Sequence, residues 1–156
     1  MSNRSSFSFL IRGYTLTELM ITVAVLAIIV SIAVPAYTSQ MQKSRRADAR
    51  NALLDIAGRE ERYLSIANSY SALTTDVGYS GAWPQNVFNN YYQVTVTVPD
   101  PNFVAAGGVG PSYSLLATPI GVQANDLTCG AFTLNQVGVQ GVTGTATATP
   151  ATCWGS

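Results

Sequence analysis

Four successive patterns of apolar and polar residues divide the chain. Residues 1–13, "MSNRSSFSFLIRG", are polar and basic, and residues 14–36 form an almost uninterrupted apolar run. Residues 37–68 are charged and alanine-rich, with apolar residues at helical spacing. Residues 69–156, the β part, are rich in Gly, Thr, Val and Tyr. The pattern predicts an α+β fold with a long N-terminal helix and a small antiparallel sheet. The first half of the helix is apolar, and the second half is amphipathic and packs on the sheet.

The apolar run is long enough to cross a bilayer. Between residues 19 and 34 only one Thr and one Ser are polar, and with residues 14–18 the segment reaches about 20 residues. A spanning helix is favoured over a secretory signal peptide, whose hydrophobic stretch is usually about 7–15 residues. Glu18 is the one carboxylate in the segment. Pro35 is expected either to kink the helix or to mark the boundary of the anchor.

The second half of the helix is predicted to have one apolar face. That stripe should pack on the β part, and it consists of Ala49, Leu53, Ile56, Tyr63 and Ala67. The charged side chains between them are expected to be solvated, with some pairs along the helix: Arg45, Arg46, Asp48, Asp55, Arg59, Glu61 and Arg62.

Three strands are predicted in the β part. The clearest is "YYQVTVTV", where apolar and polar residues alternate until Pro99-Asp100-Pro101 stops the strand. "SYSLLAT" (112–118) and "GAFTLNQ" (130–136) follow, and the three are expected to form an antiparallel meander. Residues 138–152, "GVQGVTGTATATPAT", are polar and low in complexity, so we expect an exposed loop there.

Cys129 and Cys153 are the only cysteines in the sequence. A disulfide is favoured over two buried thiols, because a small β part needs a covalent staple. Such a bond persists only in an oxidising compartment, so the β part is expected outside the cytoplasm. The basic residues flanking the apolar run would, if anything, favour the opposite orientation.

Charge and residue chemistry disfavour several classes of function. All eight Lys and Arg residues lie before residue 63, and only Asp76, Asp100 and Asp126 carry charge after it. A β part without Lys or Arg is a poor match for a phosphate backbone, so DNA is an unfavoured partner. The chain has no histidine, its carboxylates are scattered, and no Ser or Cys has a base beside it. We therefore expect no enzyme, no catalytic residues, no metal site and no cofactor.

The N-terminus resembles that of type IV pilins. In "RG|YTLTELMITV" a short basic leader ends at Gly13, an aromatic residue, Tyr14, follows, and Glu18 stands at the fifth mature position before the apolar run. Pro35 lies where the family carries a helix-breaking proline, which makes it an expected assembly residue. "CGAFTLNQVGV…CW" is similar to the family's disulfide-bounded region. The resemblance covers nearly the whole chain, and its PilE-like pattern favours a minor pilin.

The resemblance implies a processing route and a structural function. A prepilin peptidase that is also an N-methyltransferase would cut the class III leader, residues 1–13, between Gly13 and Tyr14 and methylate the new Tyr14 amine. Residues 14–36 would then lie in inner-membrane lipid, with the N-terminus cytoplasmic and the β part periplasmic. An inner-membrane assembly platform would add the subunit to other pilin subunits, where Glu18 would pair with a Tyr14 amine. The extracellular filament would serve adhesion, twitching motility or DNA uptake.

Three alternatives remain open. A DNA-binding minor pilin of an uptake machinery needs basic or aromatic residues on the β part, which has tyrosines but no Lys or Arg. A type II secretion pseudopilin would fit the N-terminus equally well, although the cysteine-bounded C-terminal region favours a pilin. A plain anchored periplasmic domain would leave Glu18 and the Gly13 junction unexplained.

Overall fold

The computed structural model describes residues 13–87, 89–145 and 147–155. The chain forms two compact units, Met1–Ser39 and Gln40–Ser156, and helix α1, Leu16–Ala67, contributes residues to both. The expected leader lies outside the described residues except for Gly13. At the start of α1, the Thr15 hydroxyl accepts a hydrogen bond from the Glu18 backbone N–H (3.2 Å). This bond satisfies one of the free donors of the first turn.

In the first unit, α1 is exposed along its whole length. Every residue from 13 to 40 is exposed, and by length and composition alone this part of α1 could cross a membrane. The hydroxyls of Thr22 and Ser31 donate to backbone carbonyls three residues earlier, at 2.8 and 2.7 Å. These polar groups therefore need no partner outside the helix. The helix does not end at Pro35, which lies inside α1.

The second unit contains a five-stranded antiparallel sheet. The strands lie in the spatial order of the sequence and are β1 Gln85–Val87, β2 Tyr92–Thr97, β3 Ser114–Pro119, β4 Phe132–Asn135 and β5 Gln140–Val142. The predicted meander is confirmed as β2, β3 and β4. The edge strands β1 and β5 were not predicted, because three residues are too few to show an alternation.

Residues 138–152 are more ordered than the sequence predicted. β5 pairs with β4 at their start, and helix α3, Pro150–Trp154, begins at their end. Thr149 caps α3 through reciprocal side-chain and backbone hydrogen bonds with Thr152. The expectation of a single exposed loop is therefore wrong at both ends. A Thr followed by Pro is a helix-start signal that the low-complexity composition concealed.

The core lies between α1 and one face of the sheet. Its largest members are fully buried or nearly so: Leu53, Ile56, Tyr92, Val94, Leu115 and Phe132. The predicted stripe of α1 is confirmed for Ala49, Leu53 and Ile56, whereas Tyr63 is only half-buried and Ala67 is exposed. A short helix, α2 (Pro101–Ala105), and a 3-10 helix, Gly121–Asn125, lie in the connections on either side of β3.

Three contacts connect the C-terminal region to the rest of the second unit. Cys129 and Cys153 form a disulfide, which confirms the predicted pair. The Arg50 guanidinium of α1 donates to the backbone carbonyl of Trp154. The Trp154 ring packs edge-on against Phe132 of the core at 5.7 Å. The last turn of the chain is thereby part of the folded unit.

Candidate functional site

The first turn of α1 brings Tyr14 and Glu18 to one place. Both line a shallow pocket with Leu19 and Thr22. Tyr14 is 84% exposed. Glu18 lies in the first turn, where the helix dipole favours a negative charge. The carboxylate and the backbone nitrogen of residue 14 are thus carried on the same short stretch of chain.

Gly13 has no structural need to be glycine in this conformation. A Cβ built at Gly13 would have no described heavy atom within 4 Å. Among the described residues, no packing contact therefore requires glycine at this position.

The apolar surface of the first unit needs a non-aqueous surrounding. Its exposed side chains include Leu16 at 75%, Ile28 at 63% and Ile32 at 70%. A helix that is apolar all round is stable in hydrocarbon or against other apolar helices, but not in water. This half of α1 is therefore a surface for membrane or for other chains.

Arg46 is not the solvated residue that the sequence predicted. It is 8% exposed, and its Nε and Nη2 donate to the two carboxylate oxygens of Asp126, each at 2.6 Å. This hydrogen bonding raises the pKa of Arg46. Gln123, fully buried, also donates to Asp126 (2.9 Å) and to the Tyr92 hydroxyl (3.3 Å). The expectation failed because Asp126, 80 residues away, supplies the counter-charge that burial requires.

The other arginines of α1 have individual environments. Arg59 forms the expected (i, i+4) pair with Asp55 at 2.8 Å, on the exposed side of the helix. Arg45 lies over the ring of Tyr91, with its guanidinium carbon 4.0 Å from the ring centre. This cation–π contact places a basic group beside the start of β2. Sequence reasoning missed it because Arg45 and Tyr91 are far apart along the chain and neither lies in a motif.

Acidic groups do not form a metal site among the described residues. No group of three or more Cys, Asp or Glu side chains there could hold a metal ion.

Two family models match the chain. The model described as "Type IV minor pilin ComP, DNA uptake sequence receptor" matches residues 35–133. The model of the "Prokaryotic N-terminal methylation motif" matches residues 9–34, which include Gly13, Tyr14 and Glu18. Together the two matches cover the apolar run and most of the second unit.

Individual relatives are similar over parts of the chain. The type IV major pilin protein PilA of Myxococcus xanthus is 30% identical over 69 residues, 44% of this chain and 31% of that protein. The fimbrial protein EcpC of Eikenella corrodens is 29% identical over 107 residues, 69% of this chain and 61% of that protein. The chain thus spans about a third and about three fifths of these two curated relatives.

A solved structure is also similar. It is a type IV pilin from Shewanella oneidensis, 26% identical, with 64% of this chain and 89% of that chain covered and a TM-score of 0.44. The family assignment rests on the family models, of which the first covers more than half of the chain. The predicted resemblance is confirmed, and the chain belongs to the type IV minor pilins.

Proposed function

We propose that this minor pilin is cut between Gly13 and Tyr14, methylated at the new amine, and added to a pilus through residues 14–36. Before assembly these residues lie in the inner membrane, with the second unit in the periplasm. The observation that carries the proposal is the exposed first half of α1, which is apolar and holds one carboxylate, Glu18. A prepilin peptidase with methyltransferase activity, an assembly platform and other pilins are the partners.

The position of Glu18 supports a role for its charge in assembly. A carboxylate at membrane depth is unfavourable unless a cation meets it. Cleavage before Tyr14 creates an amine four residues ahead of Glu18, and Tyr14 and Glu18 line the same pocket. In a filament, a subunit can present its Tyr14 amine to the Glu18 of a neighbour. The axial offset that makes this pair is then favoured over other offsets of two apolar helices.

The disulfide supports the placement of the second unit. Cys129 and Cys153 are paired, and a structural disulfide persists in the periplasm or outside the cell. The leader carries Arg4 and Arg12, which the processing route removes. The basic residues at 43–50, after the apolar run, still favour the opposite orientation, so the periplasmic placement rests on the disulfide and not on the charge balance.

The test of assembly is Glu18→Gln, which keeps the size of the side chain and removes its charge. Thr22→Val is a matched control, because Thr22 lines the same pocket and loses only a hydroxyl that bonds within the helix. Glu18→Gln protein should be cleaved, remain in the inner membrane and be missing from sheared pili, while Thr22→Val enters them normally. Wild-type amounts of Glu18→Gln in sheared pili would refute the charge-pairing account.

The test of processing is the intact mass of the mature protein. A mass that begins at methylated Tyr14 is expected, and surface protein that still carries Met1 or Ser2 would refute the proposal. Gly13→Ala should accumulate uncleaved, although the chain itself has room for the methyl group.

We infer a second candidate function, contact with DNA during uptake, from two observations. The matching family model describes a DNA uptake sequence receptor. The cation–π pair of Arg45 and Tyr91 supplies a basic and aromatic surface beside β2. Surfaces that bind single-stranded nucleic acid combine aromatic side chains, on which bases stack, with positive charge along the backbone, and this pair supplies one group of each kind. This answers in part the objection that the β part has no Lys or Arg.

The charge of the second unit limits how such contact would work. Residues 40–156 hold six basic and seven acidic side chains, a formal charge of −1. Arg46 and Arg59 are paired with carboxylates, and Arg50 bonds to the C-terminal backbone. Lys43, Arg45 and Arg62 are the remaining basic groups, so at most about three phosphates would be neutralised. The slope of log affinity against log salt should then be no steeper than about −3 for duplex DNA.

DNA titration of the full-length protein in detergent tests this second function. Tyr91→Leu should weaken binding to single-stranded DNA several-fold, and Arg45→Gln should also make the salt slope shallower. Arg59→Gln is the control, because Arg59 is an arginine of the same helix that is already paired with Asp55. Absence of binding at low salt, or equal losses for all three variants, would remove the DNA function and leave the assembly proposal untouched.

A further inference from the structure

Glu60 is a buried carboxylate that forms no ion pair within the part of the chain that the structure describes. Its side chain lies on the core-facing side of α1 and is 0% exposed. Oε2 accepts one hydrogen bond, from the backbone N–H of Ser71 at 3.1 Å. Oε1 is buried and has no hydrogen-bond partner among the described residues. Buried carboxylates are normally paired with a cation or several donors, so this arrangement is unfavourable for the ionised form.

The acidic and phenolic groups that face Glu60 supply no positive charge. Burial raises the pKa of Glu60 most, nearby carboxylates raise it further, and the Ser71 N–H lowers it. The titratable groups around it come from α1, from the connection to β1 and from the residue before β3, and they are Glu61, Tyr63, Tyr70, Asp76 and Tyr113. Arg59 and Arg62 line a pocket with Tyr63 and Asp76, but neither forms an ion pair with Glu60 among the described residues. Ionised Glu60 would therefore have no direct ion-pair partner there.

Glu60 lies beneath the αβ segment, which we define as residues 68–84 between α1 and β1. Ser71 is the centre of this contact, because its hydroxyl donates to Asp76 (2.6 Å) and accepts from the Leu73 N–H (3.0 Å). The single bond from the Ser71 N–H to Glu60 therefore ties a whole turn of the αβ segment to the helix. Further along, Arg59 donates to the Val77 carbonyl at 3.1 Å.

We propose that Glu60 is a proton-dependent clasp that holds the αβ segment against α1. With a proton on Oε1, the side chain is neutral and the segment stays closed. When the proton leaves, the anion gains from contact with water and from distance to Asp76, which lies on the αβ segment. Both gains require the turn around Ser71 to move off the helix.

The direction of the pH response follows from the protons bound in each state. The closed state holds a proton that the open state releases, so opening is favoured as pH rises. Between the ordinary glutamate pKa of about 4.3 and the raised pKa of the closed state, the opening equilibrium should increase about tenfold per pH unit. Above the raised pKa it should level off. Tyrosines do not interfere, because burial raises the pKa of Tyr70 to about 12.

Hydrogen exchange of the full-length protein in detergent tests the clasp. The quantity measured is the protection factor of the amides from Ser71 to Val77, between pH 5 and pH 8. A protection factor compares the observed exchange rate with the intrinsic rate at the same pH, so the intrinsic pH dependence of exchange cancels. In wild-type protein it should fall with pH by up to tenfold per unit. In Glu60→Gln, which keeps an acceptor for the Ser71 N–H but has no charge, it should be flat and higher at pH 8.

A control separates Glu60 from its neighbour on the helix. Glu61→Gln removes an exposed carboxylate that accepts from the Tyr70 hydroxyl (2.9 Å), and it leaves the hydrogen bonds of Ser71 in place. It should keep the pH slope, because the titrating group is still present. A flat wild-type profile, an unchanged slope in Glu60→Gln, or loss of the slope in Glu61→Gln would overturn the proposal. If Glu60→Gln does not fold, carbon NMR of the wild-type carboxylates decides, because a Glu60 midpoint at or below about 4.3 also overturns it.

Discussion

The buried ion pair between Arg46 and Asp126 allows a quantitative test of the second unit. The change is Asp126→Asn, which is nearly equal in volume and removes the negative charge. The Arg46 side chain, only 9% exposed, would then keep its positive charge in the core without a counter-ion. Gln123 could still donate to the new amide oxygen, so the loss is mainly that of charge compensation.

The expected loss follows from burial. Removing one partner of a buried pair costs about 3–5 kcal/mol, because the other charge stays buried. Asp55→Asn is the matched control, since it breaks an arginine–aspartate pair on the same helix whose side chains are 37% and 47% exposed. That loss should be only about 0.3–0.5 kcal/mol. The free energy of unfolding of an ordinary domain is about 5–15 kcal/mol. Asp126→Asn should therefore remove a large fraction of it, and Asp55→Asn almost none.

Urea unfolding of both variants, followed by tryptophan fluorescence, gives the two differences in free energy of unfolding. A third variant, Arg46→Met with Asp126→Leu, replaces the pair with apolar side chains and should recover most of the loss, because no charge remains buried. If Asp126→Asn costs less than about 1 kcal/mol, or no more than Asp55→Asn, then the reasoning about burial is wrong.

Three further predictions concern the disulfide, a buried tyrosine and two glycines. The cysteines of the Cys129–Cys153 disulfide are 24 residues apart, and its reduction should lower the free energy of unfolding by about 3.5 kcal/mol. Urea titrations with and without reductant measure this difference, and equal free energies of unfolding would contradict the prediction. Burial raises the pKa of Tyr92 to about 12, so its contribution to stability is complete below about pH 10 and is lost as pH rises to about 12. Tyr92→Phe should therefore show a flatter stability profile across that window, and an equally steep profile would exclude Tyr92 as the cause. Gly144→Ala should cost about 1–3 kcal/mol, because its methyl group would clash with neighbouring backbone. Gly58 lies inside α1, where a methyl group would meet no other atom, so Gly58→Ala should raise the free energy of unfolding by about 0.5–1 kcal/mol. Thermal melts in which both substitutions shift the melting temperature in the same direction would refute the packing argument.

The N-terminal motif could be found in the sequence because its elements are adjacent. Gly13, Tyr14 and Glu18 lie within six residues, and the motif model matches the same stretch. The structure adds that Tyr14 and Glu18 line one pocket. The cleavage and pairing that we assign to these residues stay predictions, since they depend on other molecules.

The helical spacing of residues in α1 indicates that Glu60 is buried, but its charge led to the opposite expectation. Arg46, Ala49, Leu53, Ile56 and Glu60 follow one another at helical spacing, so all five belong to the buried face of α1. Charged residues on a helix are usually solvated, and for that reason the stripe was continued to Tyr63 and Ala67 instead. Periodicity by itself would have placed Glu60 on this face, although the same spacing also extends to Tyr63, which is half-buried, and to Ala67, which is exposed.

The sequence by itself determined the long helix, the three central strands, the disulfide and the family, because each depends on local periodicity or on a short motif. Only the tertiary structure decided what compensates the buried charges. Asp126 reaches Arg46 across 80 residues, and among the described residues the Ser71 N–H donates to Glu60. A charge is stable in a core only when a partner arrives there, and the partner is set by how the helix lies on the sheet. That arrangement leaves no trace in the spacing of residues along the chain.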